Sequence, residues 1–456
     1  MSKSNILFLT ASIRSHVMPA MYLADLIAEK YDIYFAVTND VLKELVEENG
    51  YNSVMHSQFR IMIGMEPGYI LSEKKQTLSF WSLVRAYRKN EIFEFRKREL
   101  VKLIQNINPQ TVIIDIFSST DYFVLKTINQ ELNIIFFNPM LSTYKIDGYP
   151  IVSDGTWIKN KNISNANRKI EFSITTHFWN HIKKPKIWLL SYLNEQQNRR
   201  IFKESGVTED TLDKDNAFTK MFKGIPEIIA APLEFEVSSE VKRDWQHYLG
   251  LCTRNQRRDT ELDKTFLDAW ENLTKVKSKG QKMIYCSFGT YYTGPDKTLL
   301  NFISNLISII NELEDVHLII SVNHFVIETL KSQQKISEKI LFFTRVPQLE
   351  VLRKADLFIT HGGLGSIKEA IEYEVPMLVY PLDLQYDQNG NGLKVELHGI
   401  GLRGNFAYER THDMRTKIDQ LLNQDVFREK IREVNQHIKS SYTLNNINKT
   451  LNQLGL

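Results

Sequence analysis

Apolar residues along this chain fall in short, dense runs separated by amphipathic stretches. Residues 5–10, 31–37, 111–115 and 134–139 are β-rich and almost continuously hydrophobic. Runs of that length bounded by polar turns predict strands of a parallel sheet covered on both faces. Between the first two, residues 20–28 place Leu23, Leu26 and Ile27 on one side of a helix, so a right-handed β-α-β unit is expected. The same rhythm resumes at residues 282–290, with an amphipathic helix over 299–313 and strands over 316–322, 340–343, 357–360 and 375–381. Two successive β-α sheets are therefore predicted. The first domain is expected over 1–240, closing on a strand at 226–232, followed by a polar linker over 241–258. A second domain over 259–430 and a C-terminal helix over 431–456 complete the division. The fold class is α/β, with two successive parallel sheets. The rhythm breaks between 142 and 205, where Trp157, Trp179 and Trp188 gather. That stretch reads as an aromatic insertion, serving either a pocket for an apolar ligand or ordinary core packing.

Composition narrows the function classes. A length of 456 residues, 43% hydrophobic and 24% charged, is ordinary for a globular chain of two or three domains. A net charge of +3 spread over that length gives no footprint for nucleic acid. Cys252 and Cys286 form no CxxC pair, so neither a disulfide framework nor a thiolate metal site is expected, which suits a reducing cytoplasm. No run reaches the roughly 20 apolar residues of a membrane span, and the first strand lacks a signal-peptide pattern. A soluble cytoplasmic protein is expected. A long helix is predicted over 75–106, carrying Arg85, Arg88, Lys89, Arg96, Lys97, Arg98 and Lys102 interrupted by Glu91, Glu94 and Glu99. It reads as a solvated face, with peripheral contact to a membrane surface as the alternative. His177 and His181 share a helical spacing but lack a third ligand nearby, so no metal is expected.

The chemistry concentrates around one turn. The strand at 357–360 runs into His361-Gly362-Gly363-Leu364-Gly365-Ser366, and good helix formers follow. A strand, a glycine turn and a helix N-terminus offer unpaired amides and a positive dipole end, so a phosphate can rest on Gly365 and Ser366. The turn lacks the Walker spacing and its lysine. The formal GxGxxG at Gly399-Ile400-Gly401-Leu402-Arg403-Gly404 follows a helical segment instead of a strand, the wrong context for a dinucleotide fingerprint. The strand over 375–381 delivers Asp387 to Asn391 beyond its C-terminal end, where ligands bind in open α/β sheets. In the N-terminal half, His16 stands at a strand-to-helix corner and Asp115 at a strand tip.

Val346-Pro347-Gln348, His361-Gly362-Gly363, Ser366, Glu369, Val375-Pro376, Pro381, Asp387-Gln388 and Asn391 together resemble the donor-binding signature of the UDP-dependent glycosyltransferases that act on small lipophilic molecules. Ser287-Phe288-Gly289-Thr290 is similar to that family's first phosphate loop, and His16-Val17-x-Pro19 to its acceptor-side corner. The resemblance implies the GT-B architecture, two Rossmann-like domains facing across a cleft. It assigns His361, Ser366 and Thr290 to the diphosphate, Glu369 to the ribose, Gln348 to the base, and Asp387 and Gln388 to the sugar. Arg345, Val346, Gly363 and Gly365 complete the donor set. It makes His16 the general base of an inverting, metal-independent transfer from UDP-glucose or a similar nucleotide sugar to an acceptor hydroxyl. Asp115 is its partner, with Asp121 as the rival carboxylate. No cofactor is expected beyond the sugar donor as co-substrate. Three departures stand out: Arg345 where plant members place a tryptophan, Gly365 where they place an asparagine, and a longer spacing from Pro381 to Asp387. A UDP-sugar epimerase on the same scaffold and a non-catalytic nucleotide-sugar-binding protein are the alternatives.

Overall fold

The computed structural model describes residues 3–157, 185–216, 218–277, 280–289, 296–333 and 336–456. Packing divides it into two units. One comprises residues 1–138, 158–228 and 243–247, the other residues 139–157, 229–242 and 248–456.

The first unit is built on a seven-stranded sheet. Its strands are β1 (Ser4–Leu9), β2 (Tyr31–Val37), β3 (Asn52–Met55), β4 (Pro109–Asp115), β5 (Asn133–Asn138), β8 (Glu227–Ile229) and β9 (Gln246–Tyr248). A short antiparallel hairpin, β6 (Leu212–Asp213) and β7 (Met221–Phe222), lies outside it. The order is β3-β2-β1-β4-β5-β8-β9, and the ladders from β3 to β5 are parallel. The chain steps outward from β1 to β3, then returns to lay β4 on the other side of β1. Helices leave β1 and β4 on opposite faces at such a reversal, and their C-terminal ends bound a crevice.

The second unit repeats the plan in six strands: β10 (Lys282–Ser287), β11 (Val316–Ser321), β12 (Ile340–Phe343), β13 (Leu357–Thr360), β14 (Met377–Val379) and β15 (Gly401–Arg403). They are parallel throughout in the order β12-β11-β10-β13-β14-β15. The order reverses between β10 and β13, where Ser287 lies opposite Thr360. The apolar runs read from the sequence form the core: Ile284, Cys286, Leu318, Ile320, Ile359 and Leu378 pack with Phe302, Leu306 and Ile310 from the helix Lys297–Glu312. Each such side chain taken fully from water contributes about 1.5–3 kcal/mol. Burial pushes the Cys286 thiol far up, so it is a core side chain and not a nucleophile.

Several expectations change in detail. The stretch over 241–258, read as linker, contains β9, the edge strand of the first sheet. Residues 139–157 and 229–242 pack with the C-terminal unit, although all but 241–242 are expected in the first domain. A polar segment with no periodicity gives no sign of which core it joins. The helix expected from Ala20 begins at Arg14 and runs through Pro19 to Ile27. So near a helix start, the missing proline amide forfeits only the bond to the Ser15 carbonyl. The single helix expected over 75–106 is two, Phe80–Arg88 and Glu91–Ile107, broken where Asn90 turns left-handed at φ 52°. The C-terminal helix is likewise two, Val426–Ser441 and Leu444–Gln453. Trp179, His177, His181 and Thr290 lie outside the described residues. Among the described residues no helix is long and apolar enough to cross a membrane, and no group of three His, Cys, Asp or Glu side chains could hold a metal.

Candidate functional site

In the first unit the β1/β4 reversal brings His16 and Asp115 together. Starting the helix at Arg14 puts His16 in its first turn, with its amide bonded to the Ile13 carbonyl at 2.9 Å. Asp115 ends β4. The two side chains meet at 2.8 Å between His16 Nδ1 and Asp115 Oδ2, both nearly buried. The other carboxylate oxygen accepts the Phe117 amide at 2.9 Å, and the Phe117 ring lies 4.7 Å from the imidazole. An ionised carboxylate only accepts, so Nδ1 carries the proton and the lone pair belongs to Nε2. That is the arrangement of a general base held by a carboxylate.

Asp121, the rival, has other duties. It is fully buried and grips Arg96 in two bonds, Nε to Oδ1 at 2.9 Å and Nη2 to Oδ2 at 2.6 Å, with Arg60 Nε at 3.4 Å from Oδ2. Arg96 is also fully buried, which corrects its place on an expected solvated face. Arg60 reaches from this cluster to Ser118 Oγ at 3.1 Å, in the turn that follows Asp115. Of the two carboxylates, the structure pairs Asp115 with His16.

In the second unit the β10/β13 reversal carries the glycine turn. The helix after β13 spans Leu364–Glu372 with Gly363 as its N-cap, so Leu364, Gly365 and Ser366 are its first three residues. No side chain caps it, and among the described residues nothing accepts from those three amides. These are the unpaired donors of a helix start, at the end of a dipole worth about half a positive charge. A β-carbon on Gly365 would meet open space, and that site is exposed.

His361 stands between two glycines. A β-carbon on Gly363 would come within 2.5 Å of its Nε2, and one on Gly289 within 3.2 Å of its Cε1. Gly289, at φ +62°, is the second residue after β10. Both missing side chains make room for one imidazole. The ring's Nδ1 is buried and makes no hydrogen bond of good geometry. Burial holds His361 down to about 4, with the Ser287 backbone opposing weakly, so at neutral pH it is an uncharged hydrogen-bonding group.

Next to the helix start, Gln348, Ser366 and Glu369 form one network. Gln348 Nε2 donates to Glu369 Oε2 at 2.7 Å and lies 3.3 Å from Ser366 Oγ, while Tyr285 donates to Gln348 Oε1 at 3.3 Å. Arg257 Nη1 pairs with the other Glu369 oxygen and Arg257 Nε with Asp259 at 3.2 Å. Burial works against the guanidinium, but the two carboxylates raise its pKa above the ordinary arginine value. Arg345 extends to Glu261 at 3.7 Å and Val346 is buried. Beyond β14, Gln388 Oε1 accepts the amides of Leu382 and Asp383 at 2.9 and 3.0 Å. Its carbonyl oxygen is therefore spent on its own loop. Asp387 Oδ2 accepts from Asn391, which also donates to the Gly362 carbonyl at 3.0 Å. The helix Asp387–Leu397 is thereby tied to the glycine turn.

Residues 328–440 match the family described as UDP-glucoronosyl and UDP-glucosyl transferase. That match covers 113 of the 456 residues. A curated relative, the uncharacterized UDP-glucosyltransferase YdhE of Bacillus subtilis, is 31% identical over 117 residues, 26% of this chain and 29% of the relative. The chain thus matches less than a third of that relative's length. Two solved structures align along nearly the full chain. UDP-glucose: anthocyanidin 3-O-glucosyltransferase in complex with UDP has a TM-score of 0.64 at 14% identity, covering 100% of this chain and 99% of its own. The glycotransferase of kitacinnamycin has a TM-score of 0.63 at 16% identity, covering 100% of both. They show the fold, GT-B with its two Rossmann-like sheets. The family segment holds the glycine turn, Gln348 and Glu369 but not Arg257. Arg257 also escaped the sequence reading. It sits 112 positions before Glu369 in a polar stretch with no periodicity, and only the folded loop brings the two together.

Proposed function

We propose that this protein is an inverting glycosyltransferase that moves a sugar from a UDP-type nucleotide sugar to a hydroxyl of a small lipophilic acceptor. The observation that carries the reading is the uncapped start of the helix Leu364–Glu372 beside a neutral, glycine-flanked His361 at the β10/β13 reversal. A diphosphate placed there takes hydrogen bonds from the Leu364, Gly365 and Ser366 amides and from Ser366 Oγ. His361 adds a donor without a charge that burial would penalise. Glu369 and Gln348, adjacent on the same network, face the nucleoside.

His16 Nε2 takes the proton of the acceptor hydroxyl while Asp115 stabilises the imidazolium that forms. The acceptor oxygen attacks the anomeric carbon from the face opposite the nucleotide. The bond to the diphosphate oxygen breaks and its electrons leave with the diphosphate, which the helix dipole and amides stabilise without a metal ion. Asp387 is the residue we assign to the sugar, together with the Gln388 amide nitrogen.

The test is a mass-spectrometric screen of UDP- and TDP-sugars against mixed aglycones, with UDP binding measured in parallel. Glycosylated aglycone is the expected product. An isomerised nucleotide sugar without acceptor would point to an epimerase, and UDP binding without any product to a non-catalytic binder.

A further inference from the structure

Glu369 is neutralised before any ligand arrives. Arg257 holds one carboxylate oxygen, and Gln348 Nε2 donates to the other at 2.7 Å. The Arg257 and Glu369 side chains are 10% and 13% exposed, so this is a largely dry pair. Arg257 is also fixed in place. Asp259 takes its Nε, and the loop that carries it is pinned twice to the end of β12: Asp263 Oδ2 accepts the Thr344 amide at 2.8 Å, and Asp263 donates its own amide to the Arg345 carbonyl at 2.9 Å.

Each carboxylate oxygen has two lone pairs, so Glu369 can still accept from vicinal hydroxyls with Arg257 in place. What the guanidinium changes is the penalty for a missing hydroxyl. A site whose buried polar group depends on a ligand hydroxyl rejects the deoxy analogue strongly, because that group is left unpaired. Here, loss of one hydroxyl leaves the carboxylate paired on both oxygens. We propose that Arg257 is a specificity-determining residue of the nucleoside subsite, making it nearly indifferent to the 2′-hydroxyl, so that ribo- and 2′-deoxyribonucleoside diphosphates seat alike. The proposal rests on the donor reading above, in which Glu369 faces the pentose.

Calorimetric titration of the full chain with UDP and with 2′-deoxy-UDP tests it, since the two ligands differ only in that hydroxyl. The wild type is expected to bind both within about threefold. Arg257→Met should widen the ratio to about thirtyfold or more, the scale of a group left unpaired. Arg257→Lys, which keeps a charge beside Glu369, should return most of the way. Discrimination of about thirtyfold in the wild type would overturn the proposal. So would an unchanged ratio in an Arg257→Met variant that melts cooperatively. If that variant does not fold, the lysine variant and the wild-type ratio still decide. UDP binding with strong discrimination removes this inference alone, whereas no binding of either nucleotide removes the donor reading with it.

Discussion

At the β1/β4 reversal, His16 donates from Nδ1 to a buried carboxylate 2.8 Å away; at the β10/β13 reversal, the Nδ1 of His361 is buried with no such acceptor. The two sheets share one plan, and each presents an imidazole at its crevice. The difference lies in what accompanies the ring. Burial by itself withdraws the charge, as His361 shows by staying neutral down to about pH 4. Burial with a carboxylate gives a ring whose charged form has a partner waiting, which a proton acceptor in catalysis needs. One histidine is paired with a carboxylate, and the other is held uncharged by burial.

That contrast can be broken from either side. His16→Ala is expected to lower transfer by about a thousandfold or more, with UDP affinity held within about twofold, since a general base contributes about 10²–10⁴ and does not touch the nucleotide. Asp115→Asn should lower kcat by about a hundredfold, because an amide no longer enforces the tautomer with a free Nε2. Initial rates and UDP titrations check both. If the alanine variant loses binding and transfer equally, His16 is not the base. The second aspartate sharpens the comparison. Asp121→Asn leaves Arg96 a buried charge without its bidentate partner, so about 3–5 kcal/mol of stability should disappear in denaturant unfolding.

Smaller effects probe the other reversal. Gly363→Ala drives a β-carbon into the His361 ring, and UDP affinity should fall about tenfold as the ring and the first helical amides shift apart. The gentlest test is pH. The folded His361 is depressed below its unfolded value of about 6.5, so its contribution to stability is complete above that pH. It is lost as pH falls from about 6.5 toward about 4. The thermal midpoint of the wild type should therefore drop more steeply between pH 7.5 and 4.5 than that of His361→Gln, by about 2 °C. Parallel curves would mean that His361 titrates normally.

The parts of the site that the sequence made legible are those in which local pattern and tertiary position coincide. A β-rich run, two glycines and a helix start are contiguous at 357–372, and the structure forms β13 and the helix Leu364–Glu372 there. His16 and Asp115 could be placed on one rim because parallel strands aim their C-terminal ends together. The illegible parts depend on loops. Arg257 and Glu261 reach Glu369 and Arg345 from a stretch with no hydrophobic period. Gln388 turns its carbonyl oxygen to the Leu382 and Asp383 amides, a choice set by the longer loop after Pro381. The expected charged helix face failed at Arg96 because one carboxylate, Asp121, comes from a different helix.

The late strand β9 has a practical consequence for anyone dissecting the molecule. Its Gln246 donates at 3.2 Å to the wholly buried Glu227 of β8, whose other oxygen is held by Asn138 of β5 at 2.8 Å. An expression fragment ending near residue 240 would strip away that neighbour, taking one donor from a buried carboxylate and uncovering the hydrogen-bonding edge of β8. Such a fragment should associate through its bared margin and collect in inclusion bodies, whereas one extended past Tyr248 keeps the margin covered.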